Sequence, residues 1–214
     1  MLATEICKAA CGLLGGALDF GPPLAVQYAQ SIQAEMAREL AAGCQTVAGW
    51  IRDDRWEIEQ LEYVRVVCQT RAWAAFVAPA VCGATIASPG DPRVLWIRRF
   101  AVLLGVASCI QGETQDPTSG PGRRSLPVLH AVNAAEPGLR EELLRALAAP
   151  AAQPPKLVER AMRVAGSIAH AHAFARHLAH RANAALERAC VDLPPSKERE
   201  FFDTLVDHVL QQAR

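Results

Sequence analysis

Apolar positions recur at helical spacing along most of this chain, and no stretch shows the two-residue alternation of a strand. Ala3–Leu18 reads as a first helix fading at Gly15-Gly16, closed by the turn Gly21-Pro22-Pro23. A second helix starts at those prolines, with Leu24, Tyr28, Ile32, Met36 and Leu40 expected along one buried face. It weakens at Gly43 and Gly49 before the polar turn Arg52-Asp53-Asp54-Arg55. The third begins near Trp56, opens with Glu57, Glu59 and Glu62, runs through Tyr63, Val66 and Val67 toward Arg71, and is expected to kink at Pro79. After Ser88-Pro89-Gly90, Asp91-Pro92 supplies an N-cap and a proline at the first helical position. The fourth helix, from about Pro92 to Ile110 or a little beyond, is apolar nearly all round through Leu95, Phe100, Val102, Leu103, Val106 and Ile110. It should therefore be central.

The run from Asp116 to Gly122 is loop by its turn residues. Short helices are expected at about Leu126–Ala135 and Pro137–Ala149. A linker rich in proline and alanine leads to a long helical pattern over Lys156–Val191, broken at Gly166. Leu193-Pro194-Pro195 ends it, and Ser196 caps a last helix reaching Gln212. The expected fold is all-α, a single helical domain over residues 1–214, without internal repeats.

Composition agrees: 51% of the residues are apolar and 21% charged, which excludes a disordered polymer. Lys+Arg and Asp+Glu balance at 22 each, so the basic footprint of a nucleic-acid binder is absent and no nucleic-acid partner is expected. The N-terminus lacks a basic segment ahead of its apolar run, and the apolar runs Ala72–Ala87 and Phe100–Ile110 are short for a membrane span. A cytoplasmic protein is expected. Seven scattered cysteines fit buried free thiols better than a disulfide framework, and the Cys7/Cys11 pair reads as packing on one helix face.

The motifs narrow this further. RAWAAFVAPAVCGA resembles KTAxLFxxAxxxGA of the trans-polyprenyl diphosphate synthases, with Arg71 at the lysine and Gly83-Ala84 at the glycine-alanine pair. LGVASCIQGETQD is similar to that family's LGLAFQxxDDxxD, and GRRSLP to its GKxTLP, which puts Arg123 at the second lysine. The C-terminal segment from Ala169 resembles the family's closing alanine-rich helix, leucine-proline turn and last helix. MLATEICKAACGLL aligns with the helix that opens GDxLLAxAFxLL, so the resemblance implies an isoprenoid-synthase-type helical bundle lacking the first helices and, with them, the first DDxxD.

In that family, carboxylates of two DDxxD motifs hold magnesium ions on an allylic diphosphate, whose departure needs metals and cations to neutralise its charge. The resemblance leaves Glu113 and Asp116 as the residual metal ligands, for one weakly held Mg2+ or none. It makes Arg71 and Arg123 the diphosphate-binding residues, and Phe76, Phe100 and Leu103 the pocket lining. Asp53-Asp54-Arg55-Trp56-Glu57 fits a loose DDxxE but stands where the family has an acidic helix start, and reads as a decoy. Among His170, His172, His177 and His180 only the last two sit one turn apart, which favours structural or exposed roles.

The functional expectation is a non-catalytic or accessory subunit of a prenyl diphosphate synthase in isoprenoid biosynthesis. It would pair with a full-length catalytic subunit, or with itself as a homodimer, through the N-terminal helices, with a prenyl diphosphate as possible ligand. The alternative is a divergent terpenoid enzyme, a cyclase or prenyltransferase-like catalyst, acting on a prenyl diphosphate. An unrelated helical interaction module is the third.

Overall fold

The computed structural model describes residues 1–16, 23–117, 123–148 and 156–212, and among these every regular element is helical. In chain order they are α1 (Leu2–Leu13), α2 (Pro23–Arg52) and α3 (Gln60–Val67), which continues through a π-helical stretch (Cys68–Val77) into α4 (Ala78–Ala87). Then follow α5 (Arg93–Gln115), α6 (Leu126–Ala134), α7 (Pro137–Ala148), α8 (Lys156–Val164), α9 (Ser167–Ala189) and α10 (Lys197–Gln212). The all-α expectation holds. The end of the expected first helix with its turn, most of the loop before Arg123 and the linker after Ala148 lie outside the described residues.

Local chemistry sets most boundaries. Asp91 Oδ1 accepts the Arg93 N–H at 2.8 Å to start α5, and Ser196 Oγ accepts the Arg199 N–H at 3.2 Å to start α10. Gly166 breaks the long C-terminal pattern with φ of 63°, a left-handed conformation that costs glycine little. Pro79 is met differently from the simple kink expected. The ring of a proline crowds the carbonyl four residues back and its nitrogen donates nothing, and just ahead of it the helix widens to i→i+5 bonding, with Ala78 N–H donating to Trp73 O. The helix therefore runs unbroken from Gln60 to Ala87.

α5 is the central element, packed along α9 on one side and the π-helical stretch on another, while α1 lies across α4. Close approach at two places requires glycine. A Cβ on Gly83 would stand 2.0 Å from the Cys7 carbonyl oxygen of α1, and one on Gly105 would stand 2.8 Å from Ala72 Cβ. Phe100 of α5 meets Phe202 of α10 edge-on, with centroids 5.1 Å apart.

Two expectations about faces change. On α2 only Ile32 of the expected row is buried: Tyr28 and Met36 are half-buried, Leu40 is exposed, and the side chain of Leu24 is outside the described set. The buried positions are Ala25, Ile32, Gly43 and Trp50, seven, eleven and seven residues apart, so α2 touches the body along a narrow stripe. Leu95 is 70% exposed, while Val94 and Trp96 on either side of it pack against the core. Gln60–Ala87 and Arg93–Gln115 are each long and apolar enough to cross a membrane by length and composition, unlike the shorter runs read from sequence. Here 61% and 50% of their most apolar windows are packed inside the bundle.

Candidate functional site

Arg71 and Glu113 come together as the alignment of motifs suggests, but they face one another. Glu113 is fully buried in the last turn of α5, and Arg71 Nη1 donates to its Oε1 at 2.5 Å from the π-helical stretch. The second oxygen accepts the Tyr63 hydroxyl from α3 and, at 3.0 Å, the backbone N–H of Leu126 at the start of α6. Every group around this carboxylate is a donor. Burial holds Glu113 above the ordinary carboxylate range against the opposing pull of Tyr63, the Leu126 N–H and Arg71, and burial with the Glu113 charge pushes the Tyr63 phenol well up.

This arrangement does not fit a magnesium ion. A cation needs open oxygens, and those of Glu113 are turned to two hydrogen-bond donors and a guanidinium. Asp116, the other expected ligand, stands at the exposed end of α5, whereas Glu113 is buried. Among the described residues no group of three or more His, Cys, Asp or Glu side chains is placed to hold a metal.

The GRRSLP segment turns a different arginine inward. Arg123 is half-buried with φ of 64°, and the neighbouring Arg124, which sequence reasoning passed over, is 96% buried. Its Nε donates to Arg55 O at 2.8 Å and its Nη2 to Trp50 O at 3.2 Å, and its guanidinium lies over the Trp56 ring at 4.1 Å. Arg124 thus caps the C-terminal end of α2, where carbonyls lack helical partners. Ser125 caps α6, and Leu126 hands its N–H to Glu113. The doublet of arginines was the available signal; which member turns inward is decided by contacts distant in sequence.

The acidic run after α2 disperses in space. Asp53 pairs with Arg52, Asp54 accepts from Trp56 Nε1 at 2.9 Å, and Glu57 accepts from Arg140 of α7 at 2.7 Å. Phe76 and Phe100, expected to line a pocket, fill the core at 8% and 2% exposure, and Leu103 is partly buried against it. Of the histidines, His170 stacks on His130, with centroids 4.2 Å apart, and His177 and His180 are exposed. His130 bonds Ser167 and was missed in the sequence, lying 37 residues from that partner.

A cleft of about 730 Å³ opens beside Pro117, between α8 and α9, with Met162 and Ile168 among its apolar walls and Arg163, His172 and Arg176 on its rim. In the α1–α4 crossing Cys7 donates to Cys82, which places the Cys82 thiol below the ordinary range and Cys7 far above it.

No protein-family model matches the sequence, and no curated protein matches it. Solved structures do match. The decaprenyl diphosphate synthase of Rhodobacter capsulatus superposes with a TM-score of 0.72 at 19% identity, covering 99% of this chain and 77% of that one. A polyprenyl synthase of Roseobacter denitrificans gives 0.74 at 19% identity, over 98% and 76%. The geranylgeranyl pyrophosphate synthase of Corynebacterium glutamicum, a complex with isoprenyl diphosphate and magnesium, gives 0.72 at 16% identity, over 89% and 57%. An all-α chain organised around a central α5, superposing over nearly its whole length on these enzymes, has the fold of the polyprenyl and geranylgeranyl diphosphate synthases.

Proposed function

We propose that this chain is a non-catalytic accessory subunit that pairs with a catalytic prenyl diphosphate synthase and alters its rate or product length. One observation carries the reading: Arg71 and Glu113, the residues aligned with diphosphate-binding and metal-binding positions, neutralise each other inside the bundle. A carboxylate surrounded by donors has no oxygen to offer a cation, and an arginine bound to it has less charge to offer a diphosphate. Turnover of a prenyl diphosphate requires both.

The surface supports a partner in the same direction. α1 spends its apolar face on α4 and α10, whereas α2 rests on a narrow stripe and leaves Val26, Leu40 and Ile51 exposed at 39%, 38% and 52%. That face is available to a synthase subunit or to a second copy of this chain. The second reading, a divergent terpenoid enzyme, is favoured by the cleft beside Pro117, whose apolar residues and arginines, set beside Glu159, offer contacts for the two ends of a prenyl diphosphate.

The purified chain is given allylic and isopentenyl diphosphates with magnesium, first alone and then with a catalytic prenyl synthase from the same cells. The accessory reading predicts no diphosphate release from the chain alone, and a change in rate or chain length in the mixture. Magnesium-dependent release by the chain alone, abolished by Asp116→Ala, overturns it in favour of the enzyme.

A further inference from the structure

Several arginines of this protein are matched by a carboxylate: Arg55 by Glu62, Arg71 by Glu113, Arg93 by Asp91, Arg98 by Glu35, Arg140 by Glu57 and Arg199 by Asp203. At the far end of α5, arginines from two helices converge on one indole and one groove. Arg99 of α5 and Arg188 of α9 approach the same indole, that of Trp96, at 5.7 and 4.9 Å from its centroid. Arg181 joins them one stripe along α9, and Ala184 and Ala185 complete a groove of about 190 Å³. All three arginines are exposed, and among the described residues none forms an ion pair with a carboxylate.

Two of the acids close to this end in sequence have other partners. Glu187 accepts from Asn183 at 2.8 Å, and Asp91 is held by Arg93 at 2.5 Å. With 22 acidic and 22 basic residues overall, the convergence of three guanidiniums on one groove is a local concentration of positive charge in a balanced chain. Their mutual repulsion is relieved by an anion, and planar guanidiniums forking from two helices suit the oxygens of a phosphate. The indole keeps two of them oriented.

We propose that the groove formed by Trp96, Arg99, Arg181 and Arg188 binds a phosphate or diphosphate group. The groove is smaller than those that enclose whole organic ligands, so it takes the charged head and leaves the remainder of the molecule outside. It lies seventeen residues along α5 from Glu113, about 25 Å at helical rise, and is separate from the site described above. The head has two sources: a free diphosphate ester, or a phospholipid at a bilayer surface. Leu95 and Val191, 70% and 76% exposed at the same end of the molecule, would meet the apolar part of either.

The test uses the full chain and two probes. Inorganic diphosphate is titrated at constant ionic strength while tryptophan fluorescence is followed, with Trp96→Phe assigning the signal. Vesicles of phosphatidylcholine with phosphatidylglycerol are tested by co-sedimentation. Saturable binding of the diphosphate, weakened about tenfold by each of Arg99→Gln and Arg188→Gln and unaffected by Arg145→Gln on α7, supports the site and a free ligand. Vesicle binding with the same variant pattern, without a response to diphosphate, supports it with a lipid source. Absence of binding to both probes overturns the proposal, as does binding that sulfate reproduces equally or that the variants leave unchanged. Because all three arginines are exposed, unchanged melting temperatures verify that the variants fold.

Discussion

The single residue Glu113 links several helices. Its carboxylate joins α3, the π-helical stretch, α5 and the start of α6 through three donors, so removing it leaves a half-buried guanidinium and a buried phenol and amide unmatched. Glu113→Ala is expected to cost about 3–5 kcal/mol in chemical denaturation. The pH dependence has a definite sign. The folded-state pKa is raised above its ordinary 4.5, so the stabilising contribution is complete below that value and is lost as pH rises through the folded one. The advantage of the native chain over Glu113→Gln should shrink as pH rises above 4.5, as denaturation curves at several pH values would record. His130, lowered by burial and by His170, acts in the opposite sense in both proteins and cancels in the difference. Arg124→Ala is expected to cost about 1.5–3 kcal/mol through the exposed end of α2, with lysine restoring little because it lacks the fork. Cys82 should be alkylated ahead of Cys7 at neutral pH, as peptide mass mapping after brief iodoacetamide treatment would show.

At the scale of elements, what local chemistry controls was legible. Asp91, Gly166 and Ser196 mark helix ends through groups one to three residues away, and the structure places the boundaries there. What depends on distant partners was not. The row from Leu24 to Leu40 has good helical spacing, yet α2 lies on a stripe of Ala25, Ile32, Gly43 and Trp50 because the body offers it only a narrow seat. The widened turns ahead of Pro79 are likewise invisible in residue spacing. The pairing of Arg71 with Glu113 brings together residues 42 apart that could each be read in isolation as a ligand-binding group. Glycines test the packing directly. Gly83→Ala should destabilise the α1–α4 crossing by about 1–3 kcal/mol or more, since the added carbon meets backbone. Gly49→Ala, in α2 with open space around it, should raise stability by about 0.5–1 kcal/mol. Thermal melts of the two variants distinguish a contact glycine from a merely flexible one.

For the whole molecule, the bundle has the fold of the prenyl diphosphate synthases over almost all of its length, while Arg71 and Glu113 pair with one another. Fold and site thereby separate: ordered motif matches across the chain made the first readable, and only the three-dimensional pairing of Arg71 and Glu113 reinterprets the second. A bundle of this kind with an unfilled face on α2 is suited to act through another subunit. The central claim is that the functional unit contains a catalytic prenyl synthase besides this chain. The most direct measurement is the intact mass of the complex isolated from native cells through a tag on this chain. The account predicts a fixed-stoichiometry assembly with a prenyl diphosphate synthase bearing its own aspartate-rich motifs. A mass corresponding to this chain alone, as monomer or homodimer, would contradict it.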